Sequence, residues 1–98
     1  MIAYRQGDVI LVKGEIPKNA VKQDHLILAK GEVTGHQHQI TEGNAMLYEK
    51  EGTLFLHVES ETAVLTHEEH KPIVLPQGDY QILIQREYIP NSWQNVVD

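Results

Sequence analysis

Two pairs of histidines are the side chains in this sequence best suited to bind a metal ion. The first pair, His36 and His38, stands two residues apart. In an extended segment, side chains alternate between faces, so these two imidazoles share a face and lie roughly 6.5–7 Å apart along the strand. Imidazoles at this spacing can lean together onto one ion. The alternative is that the polar face of a strand simply carries both.

The second pair, His67 and His70, lies further along the chain. The run Thr-His-Glu-Glu at residues 66–69 matches a capping box, and Pro72 cannot join a longer helix, so the sequence predicts a single helical turn. Residues three apart on such a turn share a face. The pair could then add one or two ligands to an ion held by the first pair. The alternative is a charged, solvated loop.

Three glutamates accompany the histidines. Glu42 follows His38 by four residues, and Glu68 and Glu69 lie between the second pair. A metal-bound imidazole needs a partner for its other ring nitrogen, and these carboxylates can supply it or bind the ion directly. Glu42 and Glu69 are also candidate bases for water activated by such an ion. With nitrogen and oxygen ligands, zinc, iron, manganese, nickel and copper all fit.

The composition bounds the class of protein. A chain of 98 residues with 41% hydrophobic residues forms one domain, here taken as residues 1–98. There are no cysteines, which excludes disulfides and thiolate ligands. A net charge of −6 with scattered basic residues argues against nucleic acid as a partner. No apolar stretch is long enough to span a membrane and the N-terminus has no signal region, so we expect a cytoplasmic protein.

Short apolar or alternating runs, separated by turn residues, predict an all-β fold. We count seven to nine short strands and no convincing helix, which is typical of a small β-barrel or sandwich. Separate strands are expected at residues 53–59 and 62–66, with a turn at 60–61. A tight turn is expected at residues 76–79, before a long strand at 80–88.

The segment around His36, His38 and Glu42 resembles the first metal motif of the cupin family, in which a glycine precedes H-x-H and a glutamate follows. The glycine spacing differs by one residue. Residues 76–78 match the start of the second cupin motif, but Gln81 stands where that motif has its histidine. The resemblance implies a cupin-like jelly roll with the three motif residues facing the barrel interior. It leaves the third nitrogen ligand to be supplied by His67 or His70, or to be absent.

A broader resemblance covers most of the chain. The G-H-x-H segment at residues 35–38 and the H-E-E-H-x-P-I-x-L-P-x-G-x-Y run at 67–80 are similar to small uncharacterised bacterial and phage proteins. This resemblance implies a family and no activity.

Two functions therefore remain open. The first is a metal-binding β-barrel that acts on a small molecule; the sequence does not decide whether it is an enzyme. The second is a non-catalytic interaction module of a bacterial or phage system, with structural or pH-responsive histidines. A barrel this small buries a modest share of its surface and exposes strand edges, so we expect a homodimer.

Overall fold

The computed structural model describes residues 3–30 and 35–85, and these residues form an all-β fold. The predicted fold class and strand count are confirmed, because eight strands are present and no helix occurs in the described ranges. The described residues therefore contain no helix that could span a membrane. The strands are β1 (Ala3–Gln6), β2 (Val9–Lys13), β3 (Val21–Lys22), β4 (Ile27–Lys30), β5 (Gln37–Glu42), β6 (Ala45–Lys50), β7 (Thr53–His67) and β8 (His70–Ile84).

The two longest strands, β7 and β8, form the axis of the sheet. They pair antiparallel from Leu54–Ile82 at one end to His67–His70 at the other. The second edge of β7 is shared, since β6 pairs with its first half and β5 with its second half. The main strand order is β1-β2-β8-β7-β5-β4, and the sheet curls into a half-barrel.

The concave face of the sheet carries the main core. Strand β2 is buried on both faces, as its continuous apolar run predicts. Tyr80 is fully buried, donates its hydroxyl proton to the carbonyl of Pro76 at 2.6 Å, and has its pKa raised by burial to about 12. The other fully buried apolar side chains of this core are Val9, Leu11, Leu47, Leu56, Val58, Leu65 and Leu75.

Two expected turns are instead irregularities inside long strands. The register of β7 against β8 shifts between Val58 and Thr62, whose partners are Gly78 and Pro76. The extra residues on β7 therefore lie opposite a single position, Gln77, as in a β-bulge. The side-chain amide of Gln77 donates to the carbonyl of Glu59 at 2.6 Å, which bridges the interruption. The two strands consequently continue past residues 60–61 and 76–79.

The expected helical turn at residues 66–69 is wrong. Strand β7 continues to His67, Glu68 and Glu69 make the turn, and His70 begins β8. A hairpin keeps both neighbouring strands paired to their ends, whereas an isolated helical turn fixes many dihedral angles for few hydrogen bonds. The short strands β1 and β3 were not predicted from the sequence.

Some expectations fall outside the described residues. One is the end of the long strand expected at residues 80–88, of which 86–88 are not described.

Candidate metal centre

The β7–β8 hairpin and the start of β5 bring histidine rings together. Strand β5 runs antiparallel to β7 with Gln39 opposite Thr66, so His38 and His67 are neighbours across the strand pair. Their ring centroids are 4.2 Å apart, and those of His36 and His67 are 5.7 Å apart. The two histidine segments, distant in the sequence, therefore meet at one corner of the sheet.

Within this corner, His36, His67 and Glu68 form a group that can hold a metal ion, here called the trio. One ligand atom from each residue lies within 4.8 Å of the others. Two imidazoles and one carboxylate are the donors of many catalytic zinc sites and of non-haem iron sites. Glu68 is exposed and the two histidines are partly buried. The trio thus opens to solvent and leaves coordination positions for water or a ligand.

A hydrogen bond to Glu68 and a carboxylate beside His36 favour metal binding by the trio. Glu68 Oε1 accepts the backbone N–H of Gln37 at 2.9 Å. This hydrogen bond is the main reason that the pKa of Glu68 is lowered, so the carboxylate is ionised at neutral pH. Glu69 Oε2 lies 3.4 Å from His36 Nδ1. A carboxylate beside one ring nitrogen directs the other nitrogen towards an ion.

His67 must give up a hydrogen bond to bind metal. Its Nδ1 accepts the backbone N–H of Glu69 at 3.0 Å, so the neutral ring carries its proton on Nε2. An ion can bind Nδ1 by displacing the amide, or Nε2 after the proton moves to Nδ1. Either route breaks the contact with Glu69, so metal binding would alter the hairpin turn.

His38 is buried and its tautomer is fixed by Gln6. The side-chain amide of Gln6 is fully buried, and its Nε2 donates to the carbonyls of Leu65 and Lys71, both at 3.0 Å. Its Oε1 therefore faces His38 Nδ1 at 2.9 Å. Because an amide oxygen only accepts, His38 carries a proton on Nδ1.

The second ring nitrogen of His38 faces a carboxylate. Its Nε2 lies 3.4 Å from Asp8 Oδ1, and the His38 side chain is 3% exposed. Burial is the main reason that the pKa of His38 is lowered from 6.5; the neighbouring His67 lowers it further, whereas Asp8 opposes the shift. The balance of these contributions favours the neutral ring, and the Asp8 carboxylate is a hydrogen-bond partner of this ring.

Three of the residues expected to bind metal lie outside the trio. His38 faces Gln6 and Asp8, as described. His70 is exposed, with its ring centroid 4.9 Å from that of His67. Glu42 is exposed at the far end of β5, past a register shift and opposite Val64. Glu42 is about 13 Å along the strand from His38, so the fold does not bring it to the trio.

The remaining histidines lie elsewhere. His25 Nδ1 accepts the backbone N–H of Ile27 at 3.1 Å, and His57 Nδ1 lies 2.6 Å from Asp79 Oδ1. Neither histidine is in the trio.

Sequence reasoning missed Gln6 and Asp8. Both flank Gly7, in the turn between β1 and β2, and they reach the histidines only through long-range sheet pairing. Their polar side chains beside a buried strand were the one available signal.

A family model described as Domain of unknown function (DUF8820) matches residues 5–85. The matched segment spans more than four-fifths of the chain and includes the trio together with Gln6, Asp8, His38 and His70. No curated protein and no solved structure matches the chain.

Proposed function

The chain belongs to this family of domains of unknown function, DUF8820, and we propose that it binds a divalent transition metal ion through His36, His67 and Glu68. The observation that carries the proposal is the convergence of one ligand atom from each residue within 4.8 Å. Zinc, iron, manganese and nickel are the candidate ions, because all accept imidazole together with carboxylate.

The surroundings of the trio support this proposal. Glu68 is kept ionised by the amide of Gln37, and His36 has the carboxylate of Glu69 at 3.4 Å. Such partners orient ligands and raise their basicity. The hydrogen bond between His67 and the amide of Glu69 opposes metal binding, because binding must break it. A metal–nitrogen bond offsets the loss of one such bond.

The bound ion would supply a Lewis acid with open positions for a small-molecule ligand or water. Glu69 is the base that this chain offers beside the site, since its carboxylate already approaches His36. Glu69 is 60% exposed, so it can exchange protons with solvent. An enzymatic role would use Glu69 in this way.

The test is zinc binding by the untagged, chelator-stripped chain, followed by thermal unfolding. At a zinc concentration of 100 times Kd, binding adds about 2.7 kcal/mol, which raises Tm by roughly 10–20 °C in a domain this size. Glu68→Gln removes an anionic ligand and should abolish most of this rise. Glu61→Gln, an exposed glutamate in the irregular part of β7, is the matched control and should respond like the wild type.

Equal zinc responses of the wild type and Glu68→Gln would remove the trio as the site. Zinc responses absent from every variant would favour the second function, a non-catalytic interaction module. The buried pair of His38 and Gln6 supports that alternative, since their hydrogen bond gives this histidine a structural role. The alternative expects His36→Ala to leave folding and partner binding unchanged.

A further inference from the structure

We propose that Pro72 and Pro76 keep the outer edge of β8 from pairing with a strand of another chain, a second copy of this chain above all. A row of unpaired main-chain N–H and C=O groups at the edge of a sheet is a template for strand addition, and proteins protect such edges in several ways. The proposal does not depend on whether the trio binds a metal ion.

Strand β8 has a neighbour on both sides over only part of its length. Strand β7 pairs with β8 from Ile82 down to His70, whereas β2 pairs with residues 80–84 alone. Within the part of the chain that the structure describes, no strand pairs with the opposite side of residues 72–76. This side of residues 72–76 is here called the free edge.

The hydrogen bonds of β5 show which residues of β7 direct their main-chain groups towards β8. The backbone N–H of Ile40 donates to the carbonyl of Leu26 at 3.0 Å, on the β4 side. Successive residues of an antiparallel strand face opposite neighbours, so Gln39 faces β7. Gln39 lies opposite Thr66. Along β7, Thr66 therefore faces β5 and Leu65 faces β8.

The same alternation decides which residues of β8 face the free edge. Ile73 lies opposite Leu65, so Ile73 faces β7, and Leu75 two residues on does the same. The residues that alternate with them present their main-chain groups to the free edge, and they are Pro72, Val74 and Pro76. Both prolines thus stand where a missing N–H removes no hydrogen bond to β7, which is where strands tolerate proline.

The prolines remove most of the hydrogen bonds that an added strand would need. An antiparallel partner exchanges two main-chain hydrogen bonds with every second residue of the strand it joins. Because proline has no N–H, Val74 is the one residue of the three on the free edge that can both donate and accept. The carbonyl of Pro76 is occupied as well, since it accepts the hydroxyl of Tyr80 at 2.6 Å.

The free edge lacks the other common protection, which is a charged side chain. Residues 72–77 include no Asp, Glu, Lys or Arg, and the side chain of Val74 at the centre is 58% exposed. An exposed, uncharged valine in the middle of an edge favours contact between the edges of two copies. The two prolines are therefore the feature of this segment that opposes such contact.

The test is the sedimentation velocity of the full chain with both prolines replaced, Pro72→Thr together with Pro76→Thr, because threonine restores the N–H and suits a strand. Chelator is present, so metal ions do not contribute to association. We expect the sedimentation coefficient of this variant to rise over an about 50-fold range of concentration, whereas that of the wild type stays constant. The matched control is Pro17→Thr, which lies outside the strands and should behave like the wild type.

Amide hydrogen exchange tests the free edge in the wild type itself, so the proposal can fail even if the double variant does not fold. The amide of Val74 should exchange at least about 100-fold faster than those of Ile73 and Leu75, which face β7. In the double variant, exchange at Val74 should slow as concentration rises. A wild type in which Val74 exchanges as slowly as Ile73 would overturn the proposal. So would a folded double variant that matches the wild type in sedimentation and in exchange at Val74.

Discussion

His38 Nδ1 donates a hydrogen bond to Gln6 Oε1 at 2.9 Å, and both side chains are almost completely buried. The same glutamine amide donates to the main chain of β7 and of β8. Strand β1 is therefore connected to β5, β7 and β8, the strands that carry His38, His67 and His70. The Gln6 side chain therefore supports both the stability of the fold and the position of the His38 ring.

The first prediction concerns that link. Gln6→Met keeps the approximate shape but leaves the carbonyls of Leu65 and Lys71 and the ring of His38 without their partner. Each buried polar group left unsatisfied costs about 1–3 kcal/mol, so for three such groups we expect a loss of about 3 kcal/mol or more in the free energy of unfolding. Urea unfolding at neutral pH measures it.

A matched control for this prediction is Gln23→Met. The side chain of Gln23 donates to the carbonyl of Val21 in an exposed hydrogen bond, so its replacement should change stability by less than about 0.5 kcal/mol. Equal losses of unfolding free energy in Gln6→Met and Gln23→Met would show that Gln6 does not hold His38 and the hairpin in place.

The second prediction concerns pH. The pKa of His38 is lowered in the folded chain, chiefly by burial, from an ordinary value of 6.5. As pH falls below 6.5, the unfolded chain binds this proton before the folded chain does, so the free energy of unfolding decreases. This contribution is complete above 6.5 and is lost as pH falls towards the folded pKa. Unfolding in chelator across that range should show the decrease.

His38→Gln removes the titrating ring and should flatten this part of the pH profile. Glu68 also has a lowered pKa, so its contribution is present above its ordinary value of 4.5 and is lost as pH falls through the folded value. A wild-type profile that is level from about pH 7 to pH 5 would contradict the buried, neutral state of His38.

The third prediction concerns Glu69. Its carboxylate lies 3.4 Å from His36 Nδ1 and is not one of the trio. If it orients the ring, Glu69→Gln should weaken zinc binding by about 10–100-fold without loss of stoichiometry. Isothermal titration with Glu59→Gln as an exposed control checks this. Complete loss of one zinc ion in Glu69→Gln would instead make Glu69 a direct ligand.

Much of the fold follows from local patterns in the sequence. Alternating runs and turn residues give the fold class, and side chains alternate along β5 as expected, with His38 buried and its neighbours Gln37 and Gln39 partly exposed. The long strands were less predictable, because the irregularities at Glu59 and Gln77 are compatible with pairing only when they lie opposite each other. That relationship is between distant residues and leaves no local pattern.

The site was predictable in its histidines and less so in its other members. The spacing of His36 and His38 suggested a chelating pair, yet the fold divides them between two partners, the trio and Asp8. Sequence spacing favoured Glu42, whereas the hairpin turn brings Glu68 to the trio. The register of the sheet decides which carboxylate lies beside the histidines, and local sequence patterns do not reveal that register. The homodimer and the cytoplasmic location stay predictions.

The central claim is that this corner of the sheet binds a transition metal, and elemental analysis of the untagged protein tests it most directly. The chain should be purified without chelator and without a histidine tag, then analysed for zinc, iron, manganese and nickel. We predict about one equivalent or more of one such metal per chain, because metal binding is coupled to the folded state. Less than about a tenth of an equivalent, with no rise in Tm on adding any of the four ions, would contradict the account.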